Sequence, residues 1–181
     1  MKRKTREFIQ HLHHELDDED ENGDAEKLFD ESLSLVGLVV MYFNRLEAAV
    51  NAAICELISD RSDSTGLLVI HGMQYSAKVD LYKRLCDDLH SCVIEKAPSY
   101  ENLIDKLKSV GQLRNIVVHA DWTSADAQGY AFLRLKLSSS GMHQEYVQFT
   151  PEAMEKIVFQ INDVHEQFDQ YLSEREYFNE K

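Results

Sequence analysis

The chain is poor in residues that break the backbone. Its 181 residues include 7 Gly and 2 Pro. An all-β sandwich needs a turn every ten residues or so, and this composition does not supply them. Positive charge is also scarce. Lys and Arg number 19 against 32 Asp and Glu, a formal net charge of −13. Proteins that grip duplex nucleic acid carry a basic stripe, so a general hold on duplex DNA is not expected, while a local basic site stays open. The 3 cysteines, Cys55, Cys86 and Cys92, are an odd count at no metal-ligand spacing. They read as reduced thiols, which points to a cytoplasmic protein. Long apolar runs are missing too. The uncharged stretches 32–44 and 64–77 have 13 and 14 residues, short of the roughly 20 that cross a bilayer, so no membrane association is expected. The basic start at 1–6 is followed by no apolar segment of signal-peptide kind.

What is present suits one helical domain. Hydrophobic residues are 44% and charged residues 28%, an ordinary globular mix, and the length suffices for a core without disulfide or metal staples. Residues 1–23 form a charged N-terminal arm. Lys2, Arg3, Lys4 and Arg6 open it, Phe8, Leu12 and Leu16 recur at helical spacing, and 17–21 are all acidic. A short, partly ordered helix and a solvated loop are expected there.

Apolar residues then recur at threes and fours over 24–59, which predicts a long helix. A second helix is expected over 65–91. A third, capped by Ser99, is expected to run to His119. Alternation at 131–137, a turn at 138–142 and a return strand at 146–149 predict a hairpin. Thr150-Pro151-Glu152 then opens the last helix: a cap, a proline at the first helical position and an acid beside it. The expected fold is mainly α, an antiparallel helical bundle of four to five helices, with one β-hairpin inserted before the last helix. The expected organisation is the arm, 1–23, and a single helical domain, 24–181, with its hairpin at about 130–149.

One motif carries chemistry. Arg114-Asn115-Ile116-Val117-Val118-His119 puts polar residues into an apolar segment at the end of the third helix. Buried Arg and His are costly unless paired or lining a cleft. Arg6 with His11 and Arg84 with His90 show similar spacings, but only the pair at 114–119 has Asn directly after Arg. Asn115 and His119 lie on one helical face, while Arg114 and His119 diverge by about 140° on a straight helix.

The motif resembles that of the HEPN superfamily (higher eukaryotes and prokaryotes nucleotide-binding domain). Its members are helical bundles that commonly dimerise, and many are metal-independent RNases with Arg, four to six residues, then His. The resemblance covers about 24–120 and the last helix. It implies an RNA substrate, no metal and no cofactor, and a homodimer whose two facing motifs build the site. It also implies a toxin or phage-defence role, with an antitoxin or another protein as partner. His119 would move protons, Arg114 would stabilise charge on the phosphoryl oxygens, and Asn115 would orient His119 or the phosphate. RNA supplies its own 2′-OH nucleophile, so products would be a 2′,3′-cyclic phosphate and a 5′-OH. Some of these families carry a Tyr two residues after the His, which an antitoxin modifies. Asp121 stands there, which argues against that regulation and places a negative charge near the proposed phosphate.

Other residues admit two readings each. Arg114 and His119 would also suit a plain helix end, with Arg114 paired to an acid such as Glu47. Asn44 and Glu47 interrupt the apolar long helix, either supporting the site or facing solvent. Lys78 would meet a phosphate or lie at a surface. Arg134 and Lys136 share one expected hairpin face with Tyr130 and Phe132, a pattern that grips single-stranded RNA or packs on a bundle. His11, His13 and His14 have no fixed partner for a metal site. The acidic run 17–21 either mimics RNA over a basic cleft or is simply solvated. No nucleophile elbow, phosphate loop or Cys-x-x-Cys is present. The competing function is a non-catalytic protein-interaction or regulatory module of the same fold. A small-molecule nucleotide binder is a third reading.

Overall fold

Helix α1 (Asp24–Ile58) forms where the 3.6-residue apolar repeat is longest. It buries Val39, Phe43, Leu46, Val50, Ala53 and Ile54 almost completely. A computed structural model describes residues 1–7, 24–59, 61–92, 97–139 and 141–179. The remaining α-helices among these are α2 (Asp63–Ile70), α3 (Tyr75–Cys92), α4 (Leu103–His119) and α5 (Pro151–Asn179). Strands β1 (Arg3–Glu7), β2 (Tyr130–Ser138) and β3 (Gly141–Gln148) form one antiparallel sheet in the order β1-β3-β2. The fold is mainly α, as expected.

The chain divides into two units, Met1–Val40 with Arg114–Val158, and Met41–Leu113 with Phe159–Lys181. In the first, the sheet turns Ala131 and Val147 fully inward. Trp122 stacks on Phe149 with ring centroids 4.6 Å apart. The expected start of α5 is found: Thr150 Oγ1 accepts from the Ala153 amide at 3.2 Å, and Pro151 occupies the first helical position.

The second unit is a set of helices around Tyr82, Phe168, Leu107 and Ile161, all fully buried. Helix α2 meets α1 at Gly66, where an added Cβ would lie 2.5 Å from the Cys55 Cα. No backbone can yield by that much cheaply. Gly66→Ala is therefore expected to cost about 1–3 kcal/mol, read as a lowered melting temperature. An unchanged melt would show that the helices separate at no cost.

Three expectations are corrected. The helix expected over 65–91 is two helices, because Gly72 takes a left-handed φ of 73° just after the His71 C-cap, and a glycine there ends α2. The helix expected from Ser99 is a 3-10 turn, Pro98–Tyr100, followed by α4. Ser99 caps nothing; its hydroxyl donates to the Glu174 carboxylate on α5. Residues 3–7, read as part of a free arm, form an edge strand paired to β3. The helix expected from Phe8, Leu12 and Leu16, the histidines at 11, 13 and 14 and the acidic run lie outside the described residues.

Uninterrupted runs also understated α1. Its segment Glu26–Ile58 is long and strongly apolar, and less than a quarter of its most apolar stretch is buried. By length and composition alone that is enough to cross a membrane. The same helix carries the core residues named above.

Candidate functional site

The last turn of α4 and the loop after it belong to the first unit. Val117, fully buried, anchors this turn. The Trp122 indole Nε1 donates to the Val117 carbonyl at 2.8 Å and so satisfies a helix-end acceptor. Asn115 and His119 point to solvent, and Arg114 is half-buried. The Arg114 Nη1 donates to Asn115 Oδ1 at 3.0 Å. The side chain of His119, the last residue of α4, makes no hydrogen bond or ion pair among the described residues. The helix is regular through 119, so the divergence of Arg114 and His119 expected from helical geometry stands. The structure thus joins Arg114 to Asn115 and leaves the His119 imidazole accessible.

Asp121 is exposed, but its carboxylate is engaged locally. Its carboxylate accepts from the Thr123 amide at 3.2 Å and the Thr123 hydroxyl at 2.6 Å, and so caps a 3-10 turn, Trp122–Ser124. Its own amide donates to the Phe132 carbonyl at 2.8 Å. The charge is held by its own loop.

Asn44, Glu47 and Lys78 belong to the second unit. Asn44 is exposed. Lys78 Nζ donates to Glu47 Oε1 at 2.7 Å, and the Lys78 side chain is 12% exposed. Glu47 is therefore committed to an internal ion pair, and Lys78 is no surface phosphate contact. The Glu47 charge also adds to burial in pushing the Tyr75 phenol far above its ordinary range; the Tyr75 hydroxyl donates to the Leu107 carbonyl.

The hairpin corrects a further expectation. A β-bulge between Phe132 and Arg134 inserts one extra residue. Beyond it the side-chain alternation is inverted. Arg134 and Lys136 therefore lie on the sheet face opposite Tyr130 and Phe132, with Thr5, Glu145 and His143 for neighbours. Arg134 Nε and Arg3 Nη1 donate to Glu145 at 2.7 and 2.8 Å. Lys136 is exposed.

Glu145 is almost buried, and the Arg134 bond, with that from Arg3, holds its carboxyl below the ordinary range. A lowered folded-state value stabilises the fold above the unfolded value and is lost as pH falls through the folded one. Thermal melts should drop from pH 7 towards pH 3. Glu145→Gln should cost about 1–2 kcal/mol at pH 7 and flatten that drop, the arginines being half-exposed. An equal pH slope in both proteins would assign the acid sensitivity elsewhere.

The residues missed by sequence reasoning are on β1. Lys4 Nζ lies 3.8 Å from the Tyr130 ring centroid and bonds to Asp126 at 2.8 Å. The Arg6 guanidinium lies 5.5 Å from the Tyr146 ring. The period-two placing of Lys2, Lys4 and Arg6 was the available signal. Among the described residues, no group of three or more His, Cys, Asp or Glu is placed to hold a metal ion. No family model, no curated protein and no solved structure matches this chain.

Proposed function

We propose that the chain is a metal-independent endoribonuclease of HEPN type, acting as a cytoplasmic toxin or phage-defence component. The observation that carries this reading is the last turn and a half of α4: an exposed His119 imidazole, and an Arg114 guanidinium held by Asn115. In the proposed reaction the substrate's 2′-oxygen attacks the adjacent phosphorus. A neutral His119 takes the 2′-OH proton. The bond from phosphorus to the 5′-oxygen breaks, and a protonated His119 of a second copy gives that oxygen a proton. Arg114 stabilises the charge that builds on the phosphoryl oxygens. The products are a 2′,3′-cyclic phosphate and a 5′-OH, and the active species is a homodimer.

The test is RNA end mapping in bacteria that express the wild type or Arg114→Ala/His119→Ala at matched levels. New 5′-OH ends are expected in the wild type alone. Identical profiles from two folded, abundant proteins would overturn the reading.

A second reading, a non-catalytic protein-interaction module, is favoured by α2. Leu67, Leu68 and Val69 stand 55%, 78% and 46% exposed on a helix of eight residues. A consecutive apolar run at a surface suits a protein partner. Identical end profiles would favour this reading.

A further inference from the structure

We propose that the outer face of the three-stranded sheet binds single-stranded RNA. RNA as the ligand class rests on the reading above; the surface itself rests on charge and register. The chain is strongly acidic, yet residues 1–7 and 130–148 carry six Lys or Arg against Glu7 and Glu145 alone. Basic charge is thus concentrated on one small sheet.

The register sorts these charges by face. Arg3 pairs with Val147 and Thr5 with Glu145, on the face that turns Ala131 and Val147 inward. Lys4 lies opposite Tyr146, which lies opposite Phe132. Arg6 lies opposite Gln144, and Lys2 is joined to Gln148, the partner of Tyr130, by its carbonyl. The other face therefore carries a column of cations along β1 beside Tyr130 and Tyr146. Strand geometry spaces alternate residues by about 6.6 Å, which suits successive phosphates of an extended single strand. Lys4 is shared with Asp126. Arg6 is exposed and has no ion pair among the described residues.

Cations that follow a backbone, next to rings on which bases stack, are what sequence-tolerant binding of single strands requires. A rigid duplex buries its bases and offers these rings nothing. The net charge of the whole chain conceals this patch. The pairing of β1 with β3 makes it, by setting Lys4 and Arg6 on the aromatic face, while the bulge at 133 sends Arg134 and Lys136 to the opposite one.

The test uses the full chain carrying Arg114→Ala/His119→Ala, so that binding is read without cleavage. Fluorescence anisotropy follows a labelled 12-nucleotide oligouridine, with a duplex of equal length and phosphatidylglycerol vesicles as the other arms. The single strand should bind better than the duplex or the vesicles. Arg6→Gln should weaken binding about three- to tenfold and lower the salt slope by about one. Tyr146→Leu should weaken it about tenfold. Lys136→Gln, on the opposite face, should change it less than twofold. Circular dichroism melts check folding, and if Tyr146→Leu unfolds, Arg6→Gln decides. Absence of single-strand binding, equal weakening by Lys136→Gln, or Arg6-dependent binding to vesicles alone would overturn the proposal. RNA binding without cellular cleavage would remove only the nuclease reading; cleavage unaffected by Arg6→Gln, with no binding to the sheet, would remove only this one.

Discussion

His119→Ala is expected to lower RNA cleavage by about 10²- to 10⁴-fold, the usual worth of a positioned general acid or base. The fold should not notice. The ring is exposed and bonded to nothing among the described residues, and surface changes of that kind stay within about 0.5 kcal/mol. Purified protein, a labelled single-stranded RNA and single-turnover rates supply the measurement. Arg114→Lys is the companion variant. It keeps the charge but loses the planar fork, so it should recover only a small part of what Arg114→Ala loses. If His119→Ala cleaves at the wild-type rate while Arg114→Ala does not, the proton transfers belong to another group. If neither variant matters, α4 ends in an ordinary capped turn.

The largest stability effect should come from the other unit. Arg175 on α5 is 2% exposed and bonds to Glu56 Oε1 at 2.7 Å, while Glu56 is 58% exposed. Its second terminal nitrogen, Nη1, is buried and has no hydrogen-bond partner among the described residues. Its charge lowers the Cys86 thiol and the Tyr82 and Tyr171 phenols, all of which burial pushes up more strongly. A guanidinium so placed is costly and leans on one carboxylate. Removing the carboxylate leaves a buried charge without compensation. Glu56→Gln should therefore cost about 2–3 kcal/mol, with allowance for the exposed side of the pair. That is a fall of about 5–10 °C in melting temperature for a chain of this size. Arg175→Met, by contrast, removes the charge and keeps the volume, and should stay within about 1 kcal/mol of the wild type. Thermal melts of both variants decide the matter. A larger loss from Arg175→Met would mean that the guanidinium is a net stabiliser.

Much of the helical frame could be read from residue spacing. The repeat over 24–59 ends within one residue of α1, and Thr150-Pro151 marks the start of α5, because caps and periodicity act locally. The break at Gly72 was harder to read. A glycine inside an apolar repeat is tolerated about as often as it terminates one, and only the left-handed φ distinguishes the two. At the site, the face shared by Asn115 and His119 followed from helical geometry. The commitments of Glu47 to Lys78 and of Asp121 to Thr123 did not, since one is a long-range pairing and the other a loop conformation.

The mainly α class, the hairpin before the last helix, the acidic balance and the polar motif at 114–119 are all legible in the order of residues. These depend on composition and on contacts within a few residues. Long-range pairing makes residues 3–7 a strand, lets one bulged residue send Arg134 and Lys136 to the opposite face, and sets Lys4 and Arg6 beside the tyrosines. The reason is physical. A strand's side-chain period is two, so its faces are assigned by the register with a distant partner, and a single inserted residue reverses them.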